Sequence, residues 1–262
     1  MDLNLAGKTA VVTGASKGIG LAIVQALIAE GVKVVGAART VTPELADSGA
    51  IGARADLATA EGVQLVADRA LAELGAIDLL VNNVGGASSS DLPVGDIVAI
   101  DDTVWQQAFD LTFLSAVRMT RALLPSLLQQ RGVIVNVSSM AARVPSAGAV
   151  SYATAKAALT AFSRALAEEV GPQGVRVNTV SPGPVRTTLW DSSDSYAAKM
   201  AAAAGISQAE LLASLPAESG ITLGRLGAPA EVADLIVYLA SPRAAFITGA
   251  DYLIDGGAVK TT

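Results

Sequence analysis

The chain has no histidine and no cysteine among its 262 residues. Without histidine there is no Ser-His-Asp hydrolase and no imidazole-ligated zinc or iron. Without cysteine there is no thiolate metal site, no cysteine nucleophile and no disulfide, which fits a cytoplasmic protein. Basic charge is also in short supply. Eighteen Lys and Arg face 24 Asp and Glu, for a net charge of −6, so no nucleic-acid partner is expected. No run approaches the ~20 uninterrupted apolar residues of a bilayer span. The opening MDLNLAGK lacks a basic stretch followed by an apolar one. Neither a membrane partner nor a signal peptide is expected.

What the chain does have is apolar residues, 52% of the total, in two alternating patterns. Short β-branched runs mark strands at Thr9–Thr13, Lys33–Ala38, Ile51–Ala55, Leu79–Asn82, Val133–Ser138, Arg176–Val180 and Tyr252–Ile254. Several are almost continuously apolar, as strands covered on both faces of a parallel sheet are. Alanine- and leucine-rich helical patterns lie between them, at Gly18–Glu30, Thr59–Leu74, Asp102–Gln130, Ser151–Val170 and Pro229–Ala240, and Ser241-Pro242 closes the last. The alternation predicts an α/β Rossmann-type doubly wound parallel sheet of seven strands, with helices on both faces and a single domain spanning 1–262. One stretch breaks the rhythm. Residues 188–224 follow the sixth strand and contain Trp190, Tyr196, Met200 and Leu211. A long segment at the carboxyl end of a strand predicts a lid over the ligand crevice. Its Trp190 and Tyr196 are candidates for an apolar substrate wall.

The first strand runs into Thr13-Gly14-Ala15-Ser16-Lys17-Gly18-Ile19-Gly20 and then a helix. Glycines at 14, 18 and 20 let the backbone turn tightly against a pyrophosphate, and the helix N-terminus supplies amide donors to it. Gly14, Ser16, Lys17, Gly18, Ile19 and Gly20 are therefore candidate cofactor contacts. A site preferring NAD would carry Asp or Glu at the end of the second strand, to hold the ribose 2′-hydroxyl. Here that strand ends Ala37-Ala38-Arg39. Arg39 and Lys17 are two cations for a 2′-phosphate, so the expected cofactor is NADP(H).

Tyr152 and Lys156 are four residues apart on a predicted helix, one turn from each other, and Ser139 precedes the tyrosine by thirteen residues. A phenol of ordinary pKa ~10 is a weak acid or base at neutrality. A lysine on the same face favours the phenolate and is expected to lower that pKa. Ser139 is placed to hold a substrate oxygen against the tyrosine.

Together these motifs resemble the short-chain dehydrogenase/reductase family in its standard-length branch, over nearly the whole chain. The resemblance rests on Thr13-Gly14-x3-Gly18-x-Gly20, Asp56-Leu57, Asn82-Asn83-Val84-Gly85, Ser139, Tyr152-x3-Lys156, Asn178, Pro182-Gly183-x-Val185-x-Thr187 and Asp255-Gly256-Gly257. It implies that Asp56 and Leu57 contact adenine and that Asn83 and Gly85 line the cofactor. It also implies that Pro182, Gly183, Val185 and Thr187 lie along the nicotinamide. The same likeness makes Tyr152 the general acid or base and Ser139 the group that polarises the carbonyl. Lys156 then tunes the tyrosine and binds the nicotinamide ribose.

The chain departs from the family at Thr112, which stands where an asparagine usually shapes a helix kink near the lysine. Two readings are open: Thr112 bonds back to an upstream carbonyl and takes over that role, or the relay beside the lysine is built differently. The expected function is NADP(H)-dependent interconversion of a small-molecule ketone and a secondary alcohol. A 3-oxoacyl-thioester reductase is the alternative, because the stretch from Gly224 to Ala233 is similar to those enzymes. Arg118, Arg121 and Arg131 are then candidates for a patch that docks an acidic carrier. A non-catalytic NADP-binding sensor is a third reading, disfavoured because Tyr152 and Lys156 are both present. Apolar residues around Thr112–Leu128 and Ala153–Leu166 predict a homotetramer, with a homodimer as the alternative.

Overall fold

A computed structural model describes residues 2–86, 97–145, 149–191 and 195–260. Seven parallel strands form one sheet: β1 (Thr9–Thr13), β2 (Lys33–Ala38), β3 (Ile51–Arg54), β4 (Leu79–Asn82), β5 (Val133–Val137), β6 (Arg176–Pro182) and β7 (Asp251–Ile254). Their order in the sheet is β3-β2-β1-β4-β5-β6-β7. The chain first builds outward from β1, then returns to β1's other side with β4. The order therefore reverses between β1 and β4, where an open α/β sheet forms its ligand crevice.

The nearly unbroken apolar strands resolve into two faces. Ala10, Val12, Leu79, Val81, Val133 and Val135 point to one side. There they meet Ile23, Val24 and Leu27 of α1 (Gly18–Ala29) and Val232, Ile236 and Leu239 of α10 (Pro229–Ala240). Val11, Leu80, Ile134 and Val177 point to the other side, against α3 (Ala60–Leu74), α5 (Ser115–Gln130) and α6 (Val150–Val170). Period-two alternation with helices on both faces is what makes each strand read as continuously hydrophobic.

Polar side chains fix the register near the future site. Asn136 on β5 accepts from Asn82 of β4 at 2.8 Å and donates to Ser163 of α6 at 2.8 Å. Asn82 also donates to Thr120 of α5 at 3.2 Å. These amides are buried, and buried polar groups are tolerated where they find partners, which all their side-chain atoms but Asn82 Oδ1 do. They tie two strands to two helices.

Three elements differ from the sequence expectations. The helix over 102–130 is not one regular helix. It consists of α4 (Asp102–Phe109), a π-helical turn at Asp110–Leu114, and α5. By length and composition this helix would suit a bilayer, but Met119, Leu123 and Leu127 bury it against the sheet. A short α2 (Pro43–Ala46) follows β2, with Thr42 accepting the Leu45 amide and proline at the first turn. The 188–224 segment is itself helical, as α7 (Thr188–Asp191), α8 (Tyr196–Ala204) and α9 (Gln208–Glu218). Ser195 caps α8, and a Ser207–Glu210 capping box starts α9. This segment has its own small core of Trp190, Ala197, Ala201, Leu211 and Leu215. Trp190 is only 9% exposed and belongs to that core, so it does not form a substrate wall. The side chain of Tyr196 lies outside the described residues.

Candidate active site

Four loops leave the carboxyl edge of β1, β4, β5 and β6 and meet over the β1–β4 crossover. The first is the glycine loop. Gly14 has φ +68°, and a Cβ there would come 2.9 Å from Asn83 Nδ2. A Cβ on Gly20 would overlap the Gly14 carbonyl oxygen, so the helix can start this close to the strand only without a side chain. Lys17 sits at the N-cap of α1 and provides no side-chain cap, leaving the first-turn amides facing outward. A bare helix N-terminus above a glycine turn fits a pyrophosphate.

The loop after β4 is stitched to this turn. Asn83 Nδ2 donates to the carbonyls of Thr13 (2.9 Å) and Gly14 (3.2 Å). The amides of Asn83 and Val84 donate to Thr13 Oγ1 at 2.9 and 3.0 Å. Thr42, not singled out in the sequence, donates from Oγ1 to the Ser16 carbonyl at 3.0 Å. It thereby fastens the loop that carries Arg39 to the loop that carries Lys17. Both cations are exposed, and neither makes an ion pair among the described residues. Ile19 is half-buried and packs its side chain on the core beside α1. Leu57 likewise points its side chain into the core. Asp56 is exposed and accepts the Ala58 amide at 3.0 Å.

The loop after β6 folds over the first. Gly183 donates its amide to Ile254 at 3.0 Å, and a Cβ on it would strike Asp255 at 2.8 Å. Pro184 accepts from the Gly227 amide at 3.0 Å, and Val185 is buried against the same strip. At the end of this loop Thr187 reaches Gly18: a Cβ on that glycine would be 3.1 Å from Thr187 Cγ2.

Ser139, Tyr152 and Lys156 come together at the end of β5. Ser139 neighbours the Tyr152 phenol, and its Oγ accepts the Ala141 amide at 3.1 Å. Lys156 Nζ lies 5.7 Å from the centre of the Tyr152 ring and donates to the Val137 carbonyl at 2.6 Å. Gly85 closes the space on its other side, since a Cβ there would stand 2.9 Å from Nζ. Ser138 faces away from this group and bonds the Lys156 carbonyl and Thr160.

Two expectations are corrected here. The lysine does not lower the tyrosine. Burial pushes the Tyr152 phenol above its ordinary value, with the neighbouring Ser139 hydroxyl acting in the opposite direction. The same burial disfavours the ammonium of Lys156 and brings it down to about 7. Nor does Thr112 bond back along its helix. Its Oγ1 is buried without a partner, while Ser115 Oγ donates to the Leu111 carbonyl at 2.6 Å. The kink exists nevertheless, as the π-helical turn around Thr112.

The sequence profile described as enoyl-(acyl carrier protein) reductase matches residues 14–259. The chain belongs to the short-chain dehydrogenase/reductase family. It is 35% identical to the 3-oxoacyl-[acyl-carrier-protein] reductase of Vibrio harveyi, over 97% of this chain and 98% of that one. It is also 35% identical to the L-fucose dehydrogenase of Mus musculus, over 96% and 88% of the two chains. Among solved structures, the L-sorbose reductase of Gluconobacter frateurii, crystallised with NADPH and L-sorbose, superposes with a TM-score of 0.90. That match has 34% identity and covers 100% of both chains. These relatives are reductases and dehydrogenases, and the chain is accordingly an oxidoreductase of this family.

Burial of Lys156 links its protonation to stability. The unfolded chain holds a proton on this lysine up to its ordinary pKa of 10.5, whereas the folded chain releases it near 7. Between those values the unfolded state binds more protons, so this lysine's contribution favours folding increasingly as pH rises from about 7. Lys156→Met removes that dependence. In urea titrations the variant should gain most over the native chain at pH 6 and lose that advantage progressively toward pH 10. A constant difference across this range would show that Lys156 is not buried as described.

Proposed function

We propose that this chain is an NADP(H)-dependent oxidoreductase that interconverts a small-molecule ketone and a secondary alcohol, with Ser139, Tyr152 and Lys156 as its catalytic residues. One observation carries the reading: Ser139, Tyr152 and Lys156 gather at the carboxyl edge of the sheet, with Lys156 Nζ 5.7 Å from the Tyr152 ring, next to the glycine turn and its uncapped helix. When bound, the nicotinamide supplies the hydride. Tyr152 donates the proton to the carbonyl oxygen. Its raised pKa keeps the phenol protonated at neutral pH, which suits an acid in the reducing direction. Ser139 holds that oxygen in place. Lys156 contributes positive charge and a donor to the ribose hydroxyls.

Gly14, Ser16, Lys17, Gly18, Ile19 and Gly20 take the pyrophosphate and its flanks. Asp56 and Leu57 border adenine, Leu57 through its backbone. Asn83, Gly85, Pro182, Gly183, Val185 and Thr187 enclose the nicotinamide half. Lys17 and Arg39 favour the 2′-phosphate over a free ribose, a preference supported by the NADPH in the L-sorbose reductase complex. The chain forms one domain, with residues 188–224 as a lid standing on its own core. Nicotinamide dinucleotides are solutes of the cell interior, so the reading carries a cytoplasmic location.

A 3-oxoacyl thioester is the second candidate substrate, favoured by the acyl-carrier-protein reductase relatives. The basic patch it needs is weakened, because Arg118 is held by Asp110 at 2.9 Å and by the Ala58 carbonyl at 2.8 Å. Arg121 and Arg131 are the exposed members. A sensor without catalysis is the least supported reading, since a complete acid and its partners are assembled.

Turnover tests the reading directly. Tyr152→Phe keeps the ring and deletes the acid, so kcat should fall ~10²- to 10⁴-fold with NADPH still bound. Substantial ketone reduction by this variant would overturn the assignment. Arg39→Asp removes a phosphate partner and adds repulsion, so kcat/KM for NADPH should fall ~10- to 100-fold and the preference should turn toward NADH. An unmodified chain that prefers NADH would refute the roles given to Lys17 and Arg39.

We also propose a homotetramer, with a homodimer as the fallback. Trp105, Phe109, Phe113 and Leu114 line an open cleft of about 460 Å³ along α4 and the π turn. The aromatic row continues edge-to-face from Phe113 to Phe162 of α6, with centroids 6.1 Å apart. Such an apolar row on the outer side of two helices suits an isologous contact. Light scattering should give a mass near four times the 26.3 kDa of one chain, and a monomer at micromolar concentration would refute association.

A further inference from the structure

Ser139 does not stand on a strand. It begins a short turn that leaves β5 and is held together mainly by itself. Ala142 donates to the Ser139 carbonyl at 3.0 Å, Arg143 and Val144 donate to Met140 at 2.9 and 3.0 Å, and Ala141 donates to Ser139 Oγ. The turn also packs against α6 and β6, and Ala141 is buried there. Its one charged side chain, Arg143, reaches across 108 positions of sequence to Asp251, the first residue of β7. Arg143 Nε and Nη2 donate to Asp251 Oδ2 at 3.2 and 2.9 Å, and Nη2 also donates to the Asp251 carbonyl at 3.3 Å. Asp251 Oδ1 accepts from Ser181 Oγ at 2.6 Å, one residue before the Pro182 loop.

Among the described ion pairs this one has the most buried carboxylate. The side chains of Lys8–Asp78, Arg69–Glu73 and Arg225–Glu231 each leave one or both partners about half exposed, where ion pairs contribute little, and Arg118–Asp110 is intermediate on both sides. The Asp251 side chain is 1% exposed and that of Arg143 28%. A carboxylate buried in a strand is a liability that an apolar residue would avoid, and losing its partner would strand an uncompensated charge. The β6–β7 pairing does not depend on it, because backbone bonds already join those strands.

We propose that the Arg143–Asp251 ion pair is the strut that keeps the Ser139 turn in place beside Tyr152, so that Arg143 and Asp251 are positioning residues of the site. Through Ser181 the same carboxylate ties the serine turn to the base of the Pro182–Thr187 loop. The structural part of this inference stands alone, and its catalytic consequence rests on the ketone reduction proposed above.

The test compares the native chain with Arg143→Met, Arg143→Lys and the double variant Arg143→Met/Asp251→Leu, which removes the pair without stranding a charge. Hydrogen exchange read by mass spectrometry should show the 139–144 turn exchanging ~10-fold faster in Arg143→Met and the double variant, with α6 and β6 unchanged. In ketone reduction kcat should fall ~10- to 100-fold while the KM for NADPH stays the same, and Arg143→Lys should recover part of the loss. Unchanged exchange in the turn, faster exchange spread evenly over the sheet, or a double variant with native kcat would each overturn the strut. If the native chain itself reduces no ketone, the proposed reaction falls and the strut is decided by exchange alone.

Discussion

Lys156 is the one lysine buried in the core among the described residues, at 2% exposure. An ammonium there loses its hydration, and only local donors and acceptors can offset that loss. The surrounding architecture serves this placement. The Val137 carbonyl, at the end of β5, accepts its proton. Gly85 gives up a side chain so that β4's loop can pass beside Nζ. Ser138 and Thr160 bond the lysine's own carbonyl, which fixes the height of α6 against β5. Deeper along the same helix Ser163 joins Asn136 and Asn82. The polar residues of β4, β5 and α6 thus form one column whose upper end is the site.

Depth decides the proton chemistry more than spacing does. Four residues of separation put Tyr152 and Lys156 on one helix face, and from that alone a mutual charge effect follows. In the folded chain both groups are desolvated, and desolvation shifts each toward its neutral form: the phenol upward, the ammonium downward to about 7. Burial wins because the stabilising contacts are few. Ser139 offers the phenol one neighbouring hydroxyl, and Val137 offers the ammonium one carbonyl. A phenol held protonated next to a lysine that titrates near neutrality is suited to giving a proton and recovering it.

The sheet was legible because its signals are local and repeated. Glycines at 14, 18 and 20 follow a strand and open a helix, and each buried strand supplies alternate residues to two cores. The Ser139, Tyr152 and Lys156 cluster was legible because two of its members share one helix. The helices of the 188–224 segment were missed because the run Ala201–Ala204 has no apolar periodicity, although Ser207-x-x-Glu210 was a readable start signal. The π turn could not be read, because threonine at 112 and serine at 115 are compatible with an ordinary helix. Trp190 looked like a ligand contact because large aromatics near a crevice often are, but it is taken up by the small core of the 188–224 segment. Arg143 and Asp251 carried no signal at all, being 108 positions apart and unremarkable singly.

Topology explains why such distant pieces can act together. In sequence the four loops begin near residues 14, 83, 138 and 183. In the sheet their strands are neighbours, β1-β4-β5-β6. Three strand spacings cover only ~15 Å. Parallel strands put every loop on the same edge, so the glycine turn, the Asn83 stitch, the serine turn and the Pro182 loop line up in the order in which a dinucleotide and its substrate would lie. The order also separates tasks. Loops at β1 and β4 are joined through Thr13 and Asn83. Among the described residues the turn after β5 has no such stitch to β4, and its long-range side-chain contact runs the other way, through Asp251 toward β6 and β7. The Ser139 turn is thereby tied to the half of the sheet that carries the Pro182–Thr187 loop.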